Sequence, residues 1–175
     1  MDTLKIIPHT DKMVKDSFRK ASQLGVISNS ILHGRGNAAG YMGEEAVAAY
    51  LGADIVSDGE YSHDLMKNGK RIEVKTKRRT VPPVGMYEVS VAATSRHQKP
   101  DLYVFVSLQF KRSGKVNDRM RYGGLEFVWL LGYKKPEDYF RESQAWKPGD
   151  IDSSNNFEAH VDMFNLPIYM LDMPR

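Results

Sequence analysis

The chain contains no cysteine among its 175 residues. That excludes disulfides, thiol nucleophiles and cysteine-ligated zinc together, and fits a reducing, cytoplasmic setting. The five histidines are scattered without metal-site spacing, which argues against a zinc hydrolase. A G-x-S-x-G elbow and a Walker A lysine motif are both missing, against a serine hydrolase and a P-loop enzyme. No apolar run is long enough to span a membrane. Lys5, Pro8 and His9 interrupt the apolar residues of the first ten positions, so no signal-peptide pattern is expected. Repeats, low-complexity tracts and clear linkers are also lacking. What remains is a chain of one-domain length, 41% apolar and 27% charged, with a net charge of +3. A mild excess of cations hints at a polyanionic partner and no more.

The cations are unevenly spread. Lys67, Lys70, Arg71, Lys75, Lys77, Arg78 and Arg79 are opposed locally only by Glu73, and Arg112, Lys115, Arg119 and Arg121 form a second basic stretch. Solvated hairpins account for both without any partner. Thr10 is placed to cap a helix over about 11–24 with Val14, Phe18, Ala21 and Leu24 as its apolar stripe, and Gly25 to end it. A glycine-rich stretch follows, then an Ala-rich helix over about 41–51 stopped by Gly52. The period then changes to two, predicting strands near 60–66, 71–78, 87–92, 102–110 and 125–133, with "DLYVFVSLQF" as a central strand. Pro136, Glu137 and Asp138 start a helix running to about Trp146, and two short strands close the chain. The order is that of an α/β or α+β fold on a mixed central sheet flanked by helices.

The stretch "DLMKNGKRIEVK" (64–75) carries the most chemistry. Asn68-Gly69 between alternating residues predicts a two-residue type I′ turn. Lys67 then faces Lys70, Met66 faces Arg71, Leu65 faces Ile72 and Asp64 faces Glu73. Leu65, Ile72 and Val74 share the core face, and Asp64, Glu73 and Lys75 the other. Two carboxylates about 5 Å apart at Cβ repel. They are reconciled by a shared proton, by a divalent cation between them, or by Lys75 and Arg71 on a solvated face. In the Ala-rich helix Glu44 shares a face with Val47, Ala48 and Leu51, which holds it against the sheet, whereas Glu45 is expected to point to water.

Glu44 in "GEEAVAAYL", Asp64 in "SHDLMKNGK", and Glu73 and Lys75 in "IEVKTK" together resemble the PD-(D/E)XK, or restriction-endonuclease-like, nuclease superfamily. The resemblance covers about 40–110, with "KPDLYVFVSL" as the next core strand, and leaves 111–175 as additional elements. His63 stands where the superfamily often has proline, and Asp58 is a rival to Asp64. The resemblance implies an αβββαβ core and hydrolysis of DNA phosphodiesters dependent on Mg²⁺, for which Mn²⁺ can substitute. It assigns the cation to Asp64 and Glu73, to Glu44 directly or through water, and to the Val74 carbonyl. Lys75 would orient the attacking water and offset charge on the phosphate.

For DNA contacts the sequence offers Lys77, Arg78 and Arg79 beyond the proposed centre, and Arg35 and Asn37 with Asn29 and Ser30 in the glycine-rich stretch. Arg96, Gln98 and Lys99 precede the apolar strand. Trp129, Trp146, Tyr139 and Phe140 are read as core. A homodimer is compatible with the chain. Two rivals stand. One is a nucleotide-binding enzyme built on Gly34, Gly36 and Gly40, which the later hairpins disfavour. The other is a non-catalytic nucleic-acid-binding module on the same fold.

Overall fold

The computed structural model of the protein describes residues 4–24, 37–56, 62–116, 119–152 and 157–173. In chain order the elements are β1 (Lys5–Ile7), α1 (Asp11–Leu24), α2 (Asn37–Leu51), β2 (Asp54–Ile55), β3 (Leu65–Lys67), β4 (Lys70–Arg79), β5 (Glu88–Ala92), a short 3₁₀ helix (Ala93–His97), β6 (Leu102–Val116), β7 (Arg119–Lys134), α3 (Pro136–Glu142), β8 (Gln144–Trp146), β9 (Ile151–Asp152), β10 (Phe157–Glu158), β11 (Met163–Pro167) and a 3₁₀ turn (Ile168–Met170). The fold is mixed α/β. A six-stranded sheet runs β1-β7-β6-β4-β3-β2, in which only the β4–β6 pair is parallel. A three-stranded antiparallel sheet, β5-β11-β8, lies apart from it. Among the described residues no helix is long and apolar enough to cross a membrane.

Side-chain alternation explains the layering. Val104, Val106, Leu108 and Phe110 of β6 join Ile72 and Val74 of β4 under Met42, Ala46 and Val47 of α2. Tyr103 and Phe105 go to the opposite face, against Val89 and Val91 of β5, Leu166 of β11 and Tyr139 of α3. Strand β6 is therefore buried on both faces, as the apolar run "LYVFVSL" requires, and it lies inside the sheet between β4 and β7. Tyr139 anchors α3 on the small sheet, its hydroxyl lying 2.7 Å from the Phe164 carbonyl of β11 and 3.2 Å from the Val89 carbonyl of β5.

Helix α2 lies close to the large sheet because Gly43 has no side chain. A Cβ there would overlap Thr76 Oγ1 and come within 2.9 Å of Val106 Cγ2. Both neighbours are β-branched and cannot swing away cheaply. Gly43→Ala is expected to cost about 1–3 kcal/mol through overpacking, outweighing the gain in helix propensity of about 1 kcal/mol. Urea denaturation of the two proteins measures it.

The structure departs from the expected elements in several places: α2 already begins at Asn37, β3 begins only at Leu65, and β1 and β2 have no expected counterpart. The α1 boundaries agree, and the Thr10 hydroxyl accepts the Met13 amide (3.1 Å) as a cap should. Val14 packs against the core as expected, but the most deeply buried residues of α1 are Met13 and Ser17, while Phe18 is 57% exposed. Helix α3 stops at Glu142, not near Trp146, because Ser143 is extended and Gln144–Trp146 pair with β11. Strands β6 and β7 run on to Val116 and begin at Arg119, beyond the predicted ends. Finally, the crossover from β4 to parallel β6, where the αβββαβ order expects a helix, holds β5 and the 3₁₀ helix. Pro82, Pro83 and Pro100 and the alternating Val89 and Val91 disfavour a helix there.

Candidate active site

The turn chemistry of Asn68-Gly69 is realised in the backbone. Asn68 has φ 48° and Gly69 φ 73°, the left-handed pair that a type I′ turn demands. The ladder follows the expected register from Lys67↔Lys70 through Met66↔Arg71 to Leu65↔Ile72. It stops there, one pair short. The Asp64 amide donates to the Ile72 carbonyl (3.0 Å), so Asp64 and Leu65 both stand opposite Ile72. This is a bulge, and Asp64 is not the ladder partner of Glu73. The strand end is held elsewhere, since the Asp64 carbonyl accepts the Val56 amide (3.0 Å).

The bulge turns the Asp64 carboxylate into the gap where β3 leaves β4. Its Oδ2 accepts the Val74 amide at 2.7 Å, taking the place of a β3 carbonyl. The N–H and C=O of one strand residue point the same way, so the Val74 carbonyl opens toward the same gap. Glu73 and Lys75 lie on the face opposite α2. Lys75 Nζ donates to Glu73 Oε1 at 2.7 Å and to Gln98 Oε1 at 3.4 Å, and sits 6.0 Å from the centre of the Tyr103 ring. Glu73 is 4% exposed, and its second oxygen, Oε2, has no hydrogen-bond partner among the described residues. A buried carboxylate oxygen left unpaired is costly in a folded protein and asks for a cation or a donor.

Glu44 joins this group from α2. Its carboxylate lies back over Gly40, where a Cβ would stand 3.7 Å from Oε1. Burial, then the charges of Asp64 and Glu73, raise the Glu44 carboxyl to about 8. Burial, then Glu73, raise Asp64 to about 7, against the opposing pull of the Val74 amide and Lys75. Glu44 thus feels the charges of Asp64 and Glu73, and Asp64 that of Glu73. Among the described residues, no three His, Asp or Glu side chains converge on one point as a ready-made cage. Two carboxylates, one further acid at a distance and a backbone carbonyl match instead what Mg²⁺ commonly takes, with water and substrate phosphate completing the shell. The Glu73 oxygen without a partner among the described residues and the raised carboxyls of Glu44 and Asp64 fit such an ion.

Other expected residues divide. Gln98 reaches the centre through Lys75. Lys77 shares the Glu73–Lys75 face of β4 and is half-buried. Its ammonium is depressed to about 8, first by burial and then by Arg79, with Glu88 and Asp152 opposing. Arg79 lies 4.5 Å over the Tyr87 ring and donates to the Glu88 carbonyl (3.3 Å), while Arg78 falls on the α2 side by alternation. Arg96 stacks on Phe140 and Phe164, at 5.0 and 4.8 Å, and is directed to the small sheet. Asn37 opens α2. Arg35, Asn29, Ser30, Gly34, Gly36 and Asp58 lie outside the described residues. Glu45 does not point to water, since Lys20 of α1 pairs with it at 3.1 Å. Arg71 does not neutralise the acids either. Asp101 takes its backbone amide (2.9 Å) and its guanidinium (3.2 Å), which also fixes the start of β6 against β4.

Tyr103, read in the sequence only as part of an apolar strand, is a neighbour of this group. It is the β4–β6 ladder partner of Glu73, it is fully buried, and its hydroxyl has no partner among the described residues. Burial, then Glu73, push its phenol up to about 12. The parallel pairing is what brings it there, and no local pattern signals that. No family model matches the chain, and no curated protein is detectably similar to it.

Proposed function

We propose that this protein is a Mg²⁺-dependent DNA nuclease that hydrolyses phosphodiester bonds, with an arrangement like that of the PD-(D/E)XK enzymes. One observation carries the reading: Glu73 is buried with one oxygen on Lys75 and the other without a partner among the described residues, beside the Asp64 carboxylate anchored on Val74. A purely structural ion pair has no use for a second buried oxygen that finds no donor among the described residues. The strand order supports the family reading, since β2-β3-β4 form an antiparallel run and β6 returns parallel to β4.

Asp64, Glu73 and the Val74 carbonyl would hold the ion, with Glu44 reaching it through water. When bound, Mg²⁺ supplies Lewis acidity to the scissile phosphate and a lowered pKa for water. The chain's own groups do the rest. The Val74 amide fixes the Asp64 carboxylate, so that it need not reorganise during reaction. Lys75, held between Glu73 and Gln98, orients the attacking water and offsets charge that grows on the phosphate. Tyr103 and the buried strand behind it exclude solvent from one side of the lysine.

Supercoiled plasmid incubated with purified protein tests this. Nicked or linear product is expected with Mg²⁺ or Mn²⁺ and none with a chelator. A gel shift without cleavage in either metal would point instead to a non-catalytic DNA-binding module.

A further inference from the structure

Glu73 and Tyr103 are partners in the parallel pairing of β4 with β6, and both side chains leave the sheet on the face opposite α2. Both are buried, at 4% and 0% exposure. Each keeps one buried polar atom without a hydrogen-bond partner among the described residues, Oε2 of Glu73 and the hydroxyl of Tyr103. Native interiors satisfy nearly all such atoms. Two left over side by side, one an acceptor and one a donor, point to a single cause.

The Tyr103 ring is held firmly. Its centroid lies 6.1 Å from that of Phe105, 5.7 Å from Tyr139 and 6.1 Å from Phe140, the last two edge-on. Lys75 Nζ, which donates to Glu73 Oε1 at 2.7 Å, stands 6.0 Å from the centre of the same ring. Carboxylate, ammonium and phenol therefore meet in one place. Burial and the charge of Glu73 both push the phenol upward, so the hydroxyl keeps its proton at neutral pH and remains a donor.

Tyr139 supplies the contrast. It is equally buried and packs in the same aromatic cluster, yet its hydroxyl lies 2.7 Å from the Phe164 carbonyl. The fold satisfies one tyrosine and not the other. Phenylalanine at 103 would give the same ring without the cost of an orphaned hydroxyl. We propose that Tyr103 is a positioning residue of the cation site: its hydroxyl donates to the ligand shell of a divalent cation held on Glu73 Oε2 and so fixes the carboxylate in its ligating position. This rests on the reading of Asp64 and Glu73 as a cation site. It adds to that reading a group from β6 that sets the affinity, as outer hydrogen bonds to metal ligands generally do.

The test compares the parent with Tyr103→Phe and Tyr139→Phe. Mn²⁺ uptake is followed by electron paramagnetic resonance, and thermal unfolding is measured in chelator. Tyr103→Phe keeps the ring and removes only the hydroxyl. Its Tm in chelator should equal the parent's or rise by about 2–4 °C, because a buried group without a partner is gone. Its Mn²⁺ affinity should fall by about 10–100-fold. Tyr139→Phe should do the reverse, losing about 2–6 °C in Tm and keeping the parent affinity. Parent affinity in Tyr103→Phe overturns the assignment and leaves the cation site standing. Weaker uptake accompanied by a lower Tm in chelator also overturns it, since a packing defect then accounts for both. An equal loss of affinity in the two variants overturns it as well. A parent that takes up no Mn²⁺ removes the cation site and the assignment together.

Discussion

Asp64→Asn is expected to make the metal-free protein more stable and to slow DNA cleavage steeply. The stabilisation follows from linkage. Burial and Glu73 raise the Asp64 carboxyl from its ordinary 3.8 to about 7. Between those values the folded protein binds more protons than the unfolded chain, so stability falls as pH rises through that window. Above about 7 the full cost of holding the charge is present. A shift of about three units corresponds to an upper bound of about 4 kcal/mol. Asparagine keeps an acceptor for the Val74 amide and can donate to the neighbouring carboxylates, but its own amide is partly desolvated. A net gain of about 2 kcal/mol at pH 8 is expected, or about 4–8 °C in Tm for a chain of this size. At pH 5 the gain should shrink, since the parent Asp64 then carries its proton. Cleavage should drop by at least about 10²–10³-fold. Thermal scans in chelator at pH 5 and 8, set beside plasmid assays in Mg²⁺, measure both. A variant less stable than the parent at pH 8 would contradict the reading of Asp64 as a crowded charge.

Lys75→Met should have the same effect on cleavage and the opposite effect on stability. Methionine keeps the length of the stem beside Tyr103 and removes the ammonium. Glu73, only 4% exposed, then loses its Oε1 donor while Oε2 already has none among the described residues. Stripping one partner from a buried ion pair costs about 3 kcal/mol or more, and Lys75 is itself only 19% exposed. The Tm should fall by about 6–12 °C in chelator. Cleavage should fall about 10²–10³-fold, the scale for removing one preorganised donor at developing charge. DNA affinity in chelator should change only slightly, because most of the phosphate attraction comes from cations elsewhere. Plasmid cleavage at the parent rate by this variant would leave Lys75 a structural residue. The two substitutions are informative as a pair: a general loss of fold moves activity and stability down together, whereas here they part for Asp64.

The sequence made the hairpin legible because its information is local. Asn68-Gly69 needs positive φ at both positions, and that need fixes three ladder pairs at once. The Thr10 cap and the inward position of β6 were legible for similar reasons, one from a single hydroxyl and the other from an uninterrupted apolar run. The bulge at Asp64 was not. Strict alternation puts Asp64 opposite Glu73, and only the departure of β3 toward Val56 leaves the Val74 amide free to claim the carboxylate. Tyr103 reached the site through a parallel pairing of residues thirty apart in sequence. The Lys20–Glu45 pair arose from packing between α1 and α2. The β5-β11-β8 sheet joins three short segments spread over eighty residues, which no window of local pattern connects. The carboxylates and lysine of the candidate site were thus visible as residue types in order, while the way they meet was decided by tertiary contacts.

The central claim is that Asp64 and Glu73 form a cation site beside Lys75. Titration of Mn²⁺ into the protein, with free Mn²⁺ followed by electron paramagnetic resonance, tests it most directly. The parent should remove Mn²⁺ from solution, competitively with Mg²⁺, and Asp64→Asn should remove far less at the same concentration. Equal uptake by the two proteins, or none by the parent, would contradict the account.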